Sequence, residues 1–493
     1  MYYGLVNMIL EIYDIECLCN LFTYTGYDPK KDKYYQFVIC GWRNDYQALV
    51  NHLKRDTLIQ VGFNNEAFDY PVIHHILNHQ EEYWNKPGQE LAQLIYKKAQ
   101  ETIDEEFSTI ADKNKFIRQI DLFKIWHYNN QARKTSLKDL EVCMRMENVE
   151  EMPFHHTHWC SKGDEIQVLH YNKNDVLATY KFWLTTLGKT EYSLYKGKDK
   201  IKLRQDISKK FKVNVMNLGD VPMGYELILQ LYSRAIHESP YVVKKWRTPR
   251  PEIKLRDCIP SWCNIKSKEF NKFLDMIKST TIRGEKGEFS YSVVFHGAKF
   301  DFGIGGAHSS TKGVFISDEE YIIADYDVGS LYPSIAKSLG LYPAHLGKIF
   351  LNQYVGFIDE RLAEKGKSKK ERDNALIEGY KLILNGTYGK SNEPTSFLYD
   401  PLYTFRTTIA GQLFICMWAE RWVEVCPNLK FIQSNTDGQT ILIPVKDIDK
   451  IRKVNEQLTA ETGLTIEETI YSKMIVRDVK YLRRNRVNCW KAK

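Results

Sequence analysis

The chain has 493 residues, enough for two to four domains, and its 43% apolar and 13% aromatic content excludes wholesale disorder. The formal charge of +7 is a mild basic excess, compatible with nucleic acid without arguing for it. No apolar run reaches 18 residues, so no membrane span is expected.

The stretch Leu5 to Tyr13 has no basic flank and runs into Asp14 and Glu16, so it predicts a first strand and not a signal peptide. Ten cysteines without a CxxC pair predict reduced thiols and an intracellular setting. Strand-like runs at Ile9–Ile15, Tyr35–Cys40 and Leu58–Phe63 alternate with helical stretches to about Leu187, the pattern of an α/β domain. Asp14 and Glu16 sit two apart on the first of these, so both carboxylates leave one face. Further acids follow in Asn64-Asn65-Glu66-Ala67-Phe68-Asp69 and in Tyr171-Asn172-Lys173-Asn174-Asp175. Carboxylates in such a set suit hard divalent cations and metal-assisted phosphodiester hydrolysis. The clustered His155-His156-Thr157-His158-Trp159-Cys160 is too compressed for a tetrahedral zinc and reads as a loop. From Lys196 to Lys212, eight cations against Asp199 and Asp206 suggest a basic connector, and the proline-bearing stretch from Tyr241 to Pro260 reads as extended or looped.

After Gly303-Ile304-Gly305-Gly306 a second α/β segment begins near Tyr321. There, Tyr321 to Asp327 is an apolar strand ending in a carboxylate, and Pro333 is placed to open a helix. Phe357 to Lys365 is helical in character and ends near Gly366. Ser368-Lys369-Lys370-Glu371 has capping-box spacing and predicts a second helix running to about Gly386. The two would form a hairpin whose near end is rich in cations. Lys381, Asn385 and Tyr388 share a face of the second helix. Asn435-Thr436-Asp437-Gly438, flanked by apolar runs, predicts a β-hairpin with an acid at its tip. Strand-end aspartates Asp327 and Asp437 beside cationic helices describe a site for a triphosphate and two metals.

Together these motifs resemble a family B DNA polymerase of the short bacteriophage type. Asp14-x-Glu16, Asn64-x-x-x-Phe68-Asp69 and Tyr171-x-x-x-Asp175 resemble the three motifs of its 3′–5′ proofreading exonuclease. Asp327-Val-Gly-Ser-Leu-Tyr-Pro-Ser, Lys381-x-x-x-Asn385-Gly-Thr-Tyr388-Gly389 and Asn435-Thr-Asp437-Gly resemble polymerase motifs A, B and C, in the family's order. The resemblance implies an RNase H-like exonuclease domain at 1–190 and a connector with the start of the palm at 191–320. Palm at 321–350, helical-hairpin fingers at 351–392 and palm at 393–479 would follow. It implies that Asp14, Glu16, Asp69 and Asp175 bind two exonuclease metals while Tyr171 orients the attacking water. Asp327 and Asp437 would bind two polymerase metals, Mg²⁺ in both sites with Mn²⁺ able to substitute. Lys381, Arg361 and Lys365 would hold the triphosphate. Tyr332 would exclude a ribose 2′-OH, Asn385 and Tyr388 would line the nascent base pair, and Gly305-Gly306 would be the interdomain glycine link that guides single-stranded DNA. Primer–template DNA and dNTPs are the implied partners, and the host-cell cytoplasm the implied location.

The chain also departs from the family. Asn435 stands where a first Asp is common, one negative charge fewer near the metals. Only 48 residues separate Tyr332 from Lys381, too few for the insertion of the protein-primed branch, so an ordinary 3′-OH primer is expected. Past Val479 the resemblance to further palm and thumb stops. The end, 480–493, reads as a basic tail without strand alternation. From Lys473 onward eight Lys/Arg meet only Asp478, and everything before is net neutral. A thumb supplied by a separate chain is therefore a further implied partner. Two alternatives stay open beside the polymerase: a truncated or split chain active only as a 3′–5′ exonuclease, and a non-catalytic DNA-binding relative.

Overall fold

Five strands of the N-terminal half form one sheet in the order β3-β2-β1-β4-β5: β1 is Ile9–Leu18, β2 Leu21–Asp28, β3 Lys33–Cys40, β4 Leu58–Gly62 and β5 Arg118–Asp121. The first three are antiparallel, while β4 and β5 join in parallel. In a computed structural model, residues 8–105, 109–130, 132, 134–284, 289–477 and 487–491 are described. The chain falls into two compact units, Met1–Met223 and Gly224–Lys493, each mixing helices with sheet, the α/β character the sequence predicts.

Strand alternation sorts β1 into two faces. Tyr13 and Ile15 enter a core shared with Ile73, Ile76 and Ile95, which belong to the helices Asp69–Asn78 and Gly88–Asp104. Ile12 enters the opposite core, with Val176, Phe182 and Trp183 of the 25-residue helix Lys162–Thr186. Asp14 and Glu16 leave β1 on that second side. The helix starts at a capping box formed by Ser161 and Asp164.

Segment 196–212, expected as a connector, contributes a helix, Lys200–Phe211, to the first unit, which runs on to Met223. Arg204 explains why the run is not simply a solvated face. Its side chain is fully buried and donates to the carbonyls of Leu218, Lys200 and Ile125 and to Asp220.

The second unit is built on an antiparallel sheet ordered β11-β15-β12-β14-β13-β10-β9-β8. Its strands are β8 Ser290–Phe295, β9 Ala298–Gly303, β10 Gly306–Ser310, β11 Gly313–Ile316, β12 Tyr321–Val328, β13 Lys430–Asn435, β14 Gly438–Pro444 and β15 Ile466–Val476. A separate ribbon pairs β6, Glu252–Lys254, with β7, Thr281–Arg283. One sheet face is covered by the helix Pro401–Val425, whose Trp418 and Trp422 are fully buried beside Tyr326. Ala324, Tyr326 and Val328 point into that core, so Asp325 and Asp327 leave the other face.

Four expectations are corrected here. Gly305-Gly306 lies not between the two units but in the β9–β10 hairpin of the second unit's sheet, Gly305 in its turn and Gly306 opening β10. The Ser368–Glu371 pattern closes a turn, with Ser368 Oγ donating to Glu371 at 2.7 Å; the helix itself runs Asn374–Lys390 and is capped by Asp373. Its partner helix is longer than expected, Gly347–Gly366, and the pair is pinned by Phe357 stacked on Tyr380 and by Tyr354 donating to the Leu384 carbonyl. Finally, Val487–Lys491 of the expected strandless tail forms a strand, β16, paired with β15. Residues 478–486 and 492–493 of that tail lie outside the described residues.

Candidate functional site

In the first unit, one ligand atom from each of Asp14, Glu16 and Asp175 lies within 4.8 Å of the others, the one such group among the described residues. Strand β1 supplies the first two and the helix Lys162–Thr186 the third. Past Ile12, β1 outruns its parallel partner β4. The Ile15 N–H is free of that ladder and donates instead to Asp69 Oδ1 at 3.2 Å. Asp69 thus lies close by, at the start of the helix Asp69–Asn78, without joining the three-atom group.

Electrostatics here are those of crowded acids. Burial, then Asp69, Glu16 and Asp175, hold the Asp14 carboxyl well above the usual carboxylate range, opposed by a hydrogen bond from Asn172 at 2.7 Å. Burial with Asp175 and Asp69 does the same to Glu16. Asp69 is pushed up to about 7, by burial first, with Asp121 and Asp175 adding to it. Hard oxygen donors at this spacing, each destabilised by its neighbours' charge, fit a divalent cation.

Lys138 belongs to this site although no motif marks it. Its Nζ donates to Asp175 at 2.5 Å and to Glu141 at 3.0 Å and lies 4.5 Å from the centre of the Tyr171 ring. The Tyr171 hydroxyl bonds Asp175, which keeps the phenol beside the acid group. The only sequence signal near Lys138 is the capping box Ser136/Asp139 that starts its helix, Leu137–Cys143. The histidine cluster stays a loop. His155 bonds Thr157, His156 bonds Tyr96 and His158 bonds Asp164.

In the second unit, β12 and the β13–β14 hairpin bring Asp327 and Asp437 together. Asp327 pairs with Gly438, and the Val328 N–H donates to the Asp437 carbonyl at 2.8 Å. Their carboxylates do not form a three-atom group like that of the first unit. Burial, then Asp437, Asp325 and Glu467, push Asp327 up to about 7; burial and Asp325 raise Asp437. Asp325 and Glu467 are acids of this site that carried no motif. They are found through register, Asp325 two residues along the same strand and Glu467 directly across from Asp327 on β15.

Two non-glycine residues in the left-handed region flank these acids, Ser330 at φ +55° and Thr436 at φ +44°. Such conformations cost about 1–3 kcal/mol each and concentrate at working sites. Gly306, at φ +136°, shows what the glycine turn is for: a Cβ there would fall 2.8 Å from the Thr436 side chain.

Arg361 is buried, donates to Ser330 Oγ at 3.2 Å and feels the charges of Glu378 and Glu467, while its Nε has no partner. An unpartnered buried guanidinium nitrogen beside the acids fits an anion. Lys381 is exposed and reaches Glu378 at 3.3 Å; Lys365 and Asn385 are exposed. Tyr332 stacks on Tyr388 with ring centres 3.7 Å apart, its hydroxyl donating to the Gly305 carbonyl at 3.2 Å, while the Tyr388 hydroxyl bonds Thr408 at 2.7 Å.

No protein-family model matches the chain, and no curated protein is similar to it in sequence. No helix among the described residues is long and apolar enough to cross a membrane.

The raised carboxyls tie stability to pH. Asp69 and Asp327 hold their protons up to about pH 7 in the folded chain and only to about 4 when unfolded, so the fold binds more protons between those values. Their stabilising contribution is full below about pH 4 and is lost as pH rises through 7. A divalent cation that replaces those protons should raise the melting temperature more at pH 7.5 than at pH 5, read by thermal unfolding with EDTA or with Mn²⁺. Equal stabilisation at both values would contradict the reading.

Proposed function

We propose that the chain is a template-directed DNA polymerase of the family B type, extending a primer 3′-OH with dNTPs and proofreading with a 3′–5′ exonuclease. In this reading the first unit is the RNase H-like exonuclease, and the second carries palm and fingers. The observation that carries it is the meeting of Asp327 and Asp437 at one edge of the β12–β14 sheet, with Arg361 bonded to Ser330 and Tyr332 stacked on Tyr388.

Asp327 and Asp437 would hold two Mg²⁺, and Asp14, Glu16, Asp69 and Asp175 two more. Bound there, such ions supply charge neutralisation and an activated oxygen nucleophile. The chain's own residues do the rest. Arg361, with Lys365 and Lys381 at the cationic end of the helix pair, neutralises phosphate oxygens and orients the triphosphate. Asn385 and Tyr388 line the base. Tyr171, bonded to Asp175, orients the water that attacks a terminal phosphodiester, and Lys138 offsets the charge of Asp175.

Tyr332 is held at both ends, by the Tyr388 ring and the Gly305 carbonyl, so it cannot yield to a 2′-OH cheaply. Tyr332→Ala should raise rNTP use relative to dNTP by about 10- to 200-fold, the range for one steric contact in a pocket. Competing single-nucleotide incorporation measures it; an unchanged ratio removes Tyr332 from the sugar site.

The function itself is tested by offering a primed template one dNTP at a time with Mg²⁺. Incorporation only of the nucleotide complementary to the template base is expected. Incorporation blind to the template would overturn the proposal. A second reading, an exonuclease without extension, is favoured by one observation: the tight three-carboxylate group lies at Asp14, Glu16 and Asp175 and not at Asp327. Trimming with no incorporation would select it.

A further inference from the structure

We propose that segment 241–256 of the second unit is a binding surface for single-stranded nucleic acid, taking the unpaired template strand; the template role rests on the polymerase reading above. Between Tyr241 and Arg256 the chain carries six cations, Lys244, Lys245, Arg247, Arg250, Lys254 and Arg256, against the single acid Glu252. Arg250 and Arg256 face Asp400 and Asp257, and Glu252 faces Arg283. Lys244, Lys245 and Lys254 are exposed and have no carboxylate partner among the described residues. Arg247 spends its donors on neutral carbonyls, those of Pro394 and Lys245, so its charge is not cancelled.

An aromatic ring lies among these charges. Tyr241 is 71% exposed, with Lys245 Nζ 4.2 Å from its ring centre. Cations that track a phosphate backbone and an exposed ring on which a base stacks are the two parts of a sequence-tolerant single-strand site. A solvated lysine run needs no such ring and no fixed frame.

This segment has a frame. The Thr248 N–H donates to the Tyr399 carbonyl at 2.8 Å, and its hydroxyl bonds His345 at 2.8 Å. Arg250 makes a two-pronged bond to Asp400, which is 2% exposed and caps the helix Pro401–Val425. The loop so gripped follows the helix that ends just after Tyr388, and the capped helix carries Thr408, the partner of Tyr388. The surface is therefore tied to the two elements that hold Tyr388, where a strand leaving the nascent base pair must pass.

The test measures the full-length chain binding a labelled 20-nucleotide oligo(dT), without primer and in EDTA, by fluorescence anisotropy. Lys244→Glu/Lys245→Glu and Tyr241→Ala should each weaken binding about 10-fold, with Tyr241→Phe close to wild type. The double charge reversal should also flatten the salt dependence, by about 0.7 in log–log slope for each phosphate the surface no longer neutralises. Lys209→Glu, on the basic helix of the first unit, should change little. Wild-type affinity in the variants, an equal loss in the Lys209 control, or no binding by the wild type would each overturn the proposal. Primer extension run alongside separates the two readings. Loss of binding in the variants of a chain that never extends a primer leaves the surface and removes the polymerase. Extension by a chain whose oligo(dT) binding ignores these variants does the reverse.

Discussion

Asp327→Ala in the full chain is expected to abolish primer extension, with a loss on the order of 10³-fold or more. The size follows from what the carboxylate would hold. Metal stabilisation of a transferring phosphoryl group is worth several kcal/mol, and about 1.4 kcal/mol is a factor of ten in rate. Asp327 has no evident structural duty that alanine would damage. It lies one residue before the end of β12, its carboxylate only partly open to solvent and crowded by Asp437, Asp325 and Glu467, and it makes no favourable ion pair among the described residues. Removing it relieves repulsion. The variant should therefore melt at the same temperature as the wild type or higher when divalent cations are absent, while extension is lost. A variant that extends normally would remove Asp327 from the active site; one that unfolds would leave Asp437→Ala as the parallel test.

Asp14→Ala is expected to abolish 3′ end-trimming by a similar factor while sparing extension. Asp14 contributes one of the three converging oxygens in the first unit, and the acids assigned to extension belong to the second. Alanine also leaves Asn172 without its carboxylate acceptor, so a small loss of stability near β1 is expected with the loss of trimming. End-trimming of a 5′-labelled single strand reads the effect directly. Loss of both activities from this one change would argue against separate sites.

Much of this is legible in the chain. A period of two puts Asp14 and Glu16 on one side of β1 whatever β1 pairs with, and the apolar run before Asp327 could only be a strand with its acid at the end. What stays hidden depends on partners distant in sequence. Lys138 looks like any lysine after an N-cap until the helix Lys162–Thr186 brings Asp175 against it. Asp325 and Glu467 join the site only through the register of β12 with β14 and β15.

The misplaced helix start has a similar cause. Ser368 and Glu371 satisfy each other in a turn, whereas the Asp373 N–H is taken by Glu364 of the preceding helix while its carboxylate caps the next. Gly306 does sit where something comes close to the backbone, the Thr436 side chain at the hairpin tip, whereas a Cβ at Gly305 would meet nothing. Strand β16 owes its existence to the open edge of β15 and not to its own alternation.

The most direct test of the whole account is the direction of length change of one 5′-labelled primer annealed to a longer template. With the wild-type chain and Mg²⁺ alone, the primer should shorten into a ladder below its starting length. Adding the four dNTPs to the same reaction should reverse this and carry the label up to the length of the template. Shortening that continues unchanged when dNTPs are present would contradict the central claim.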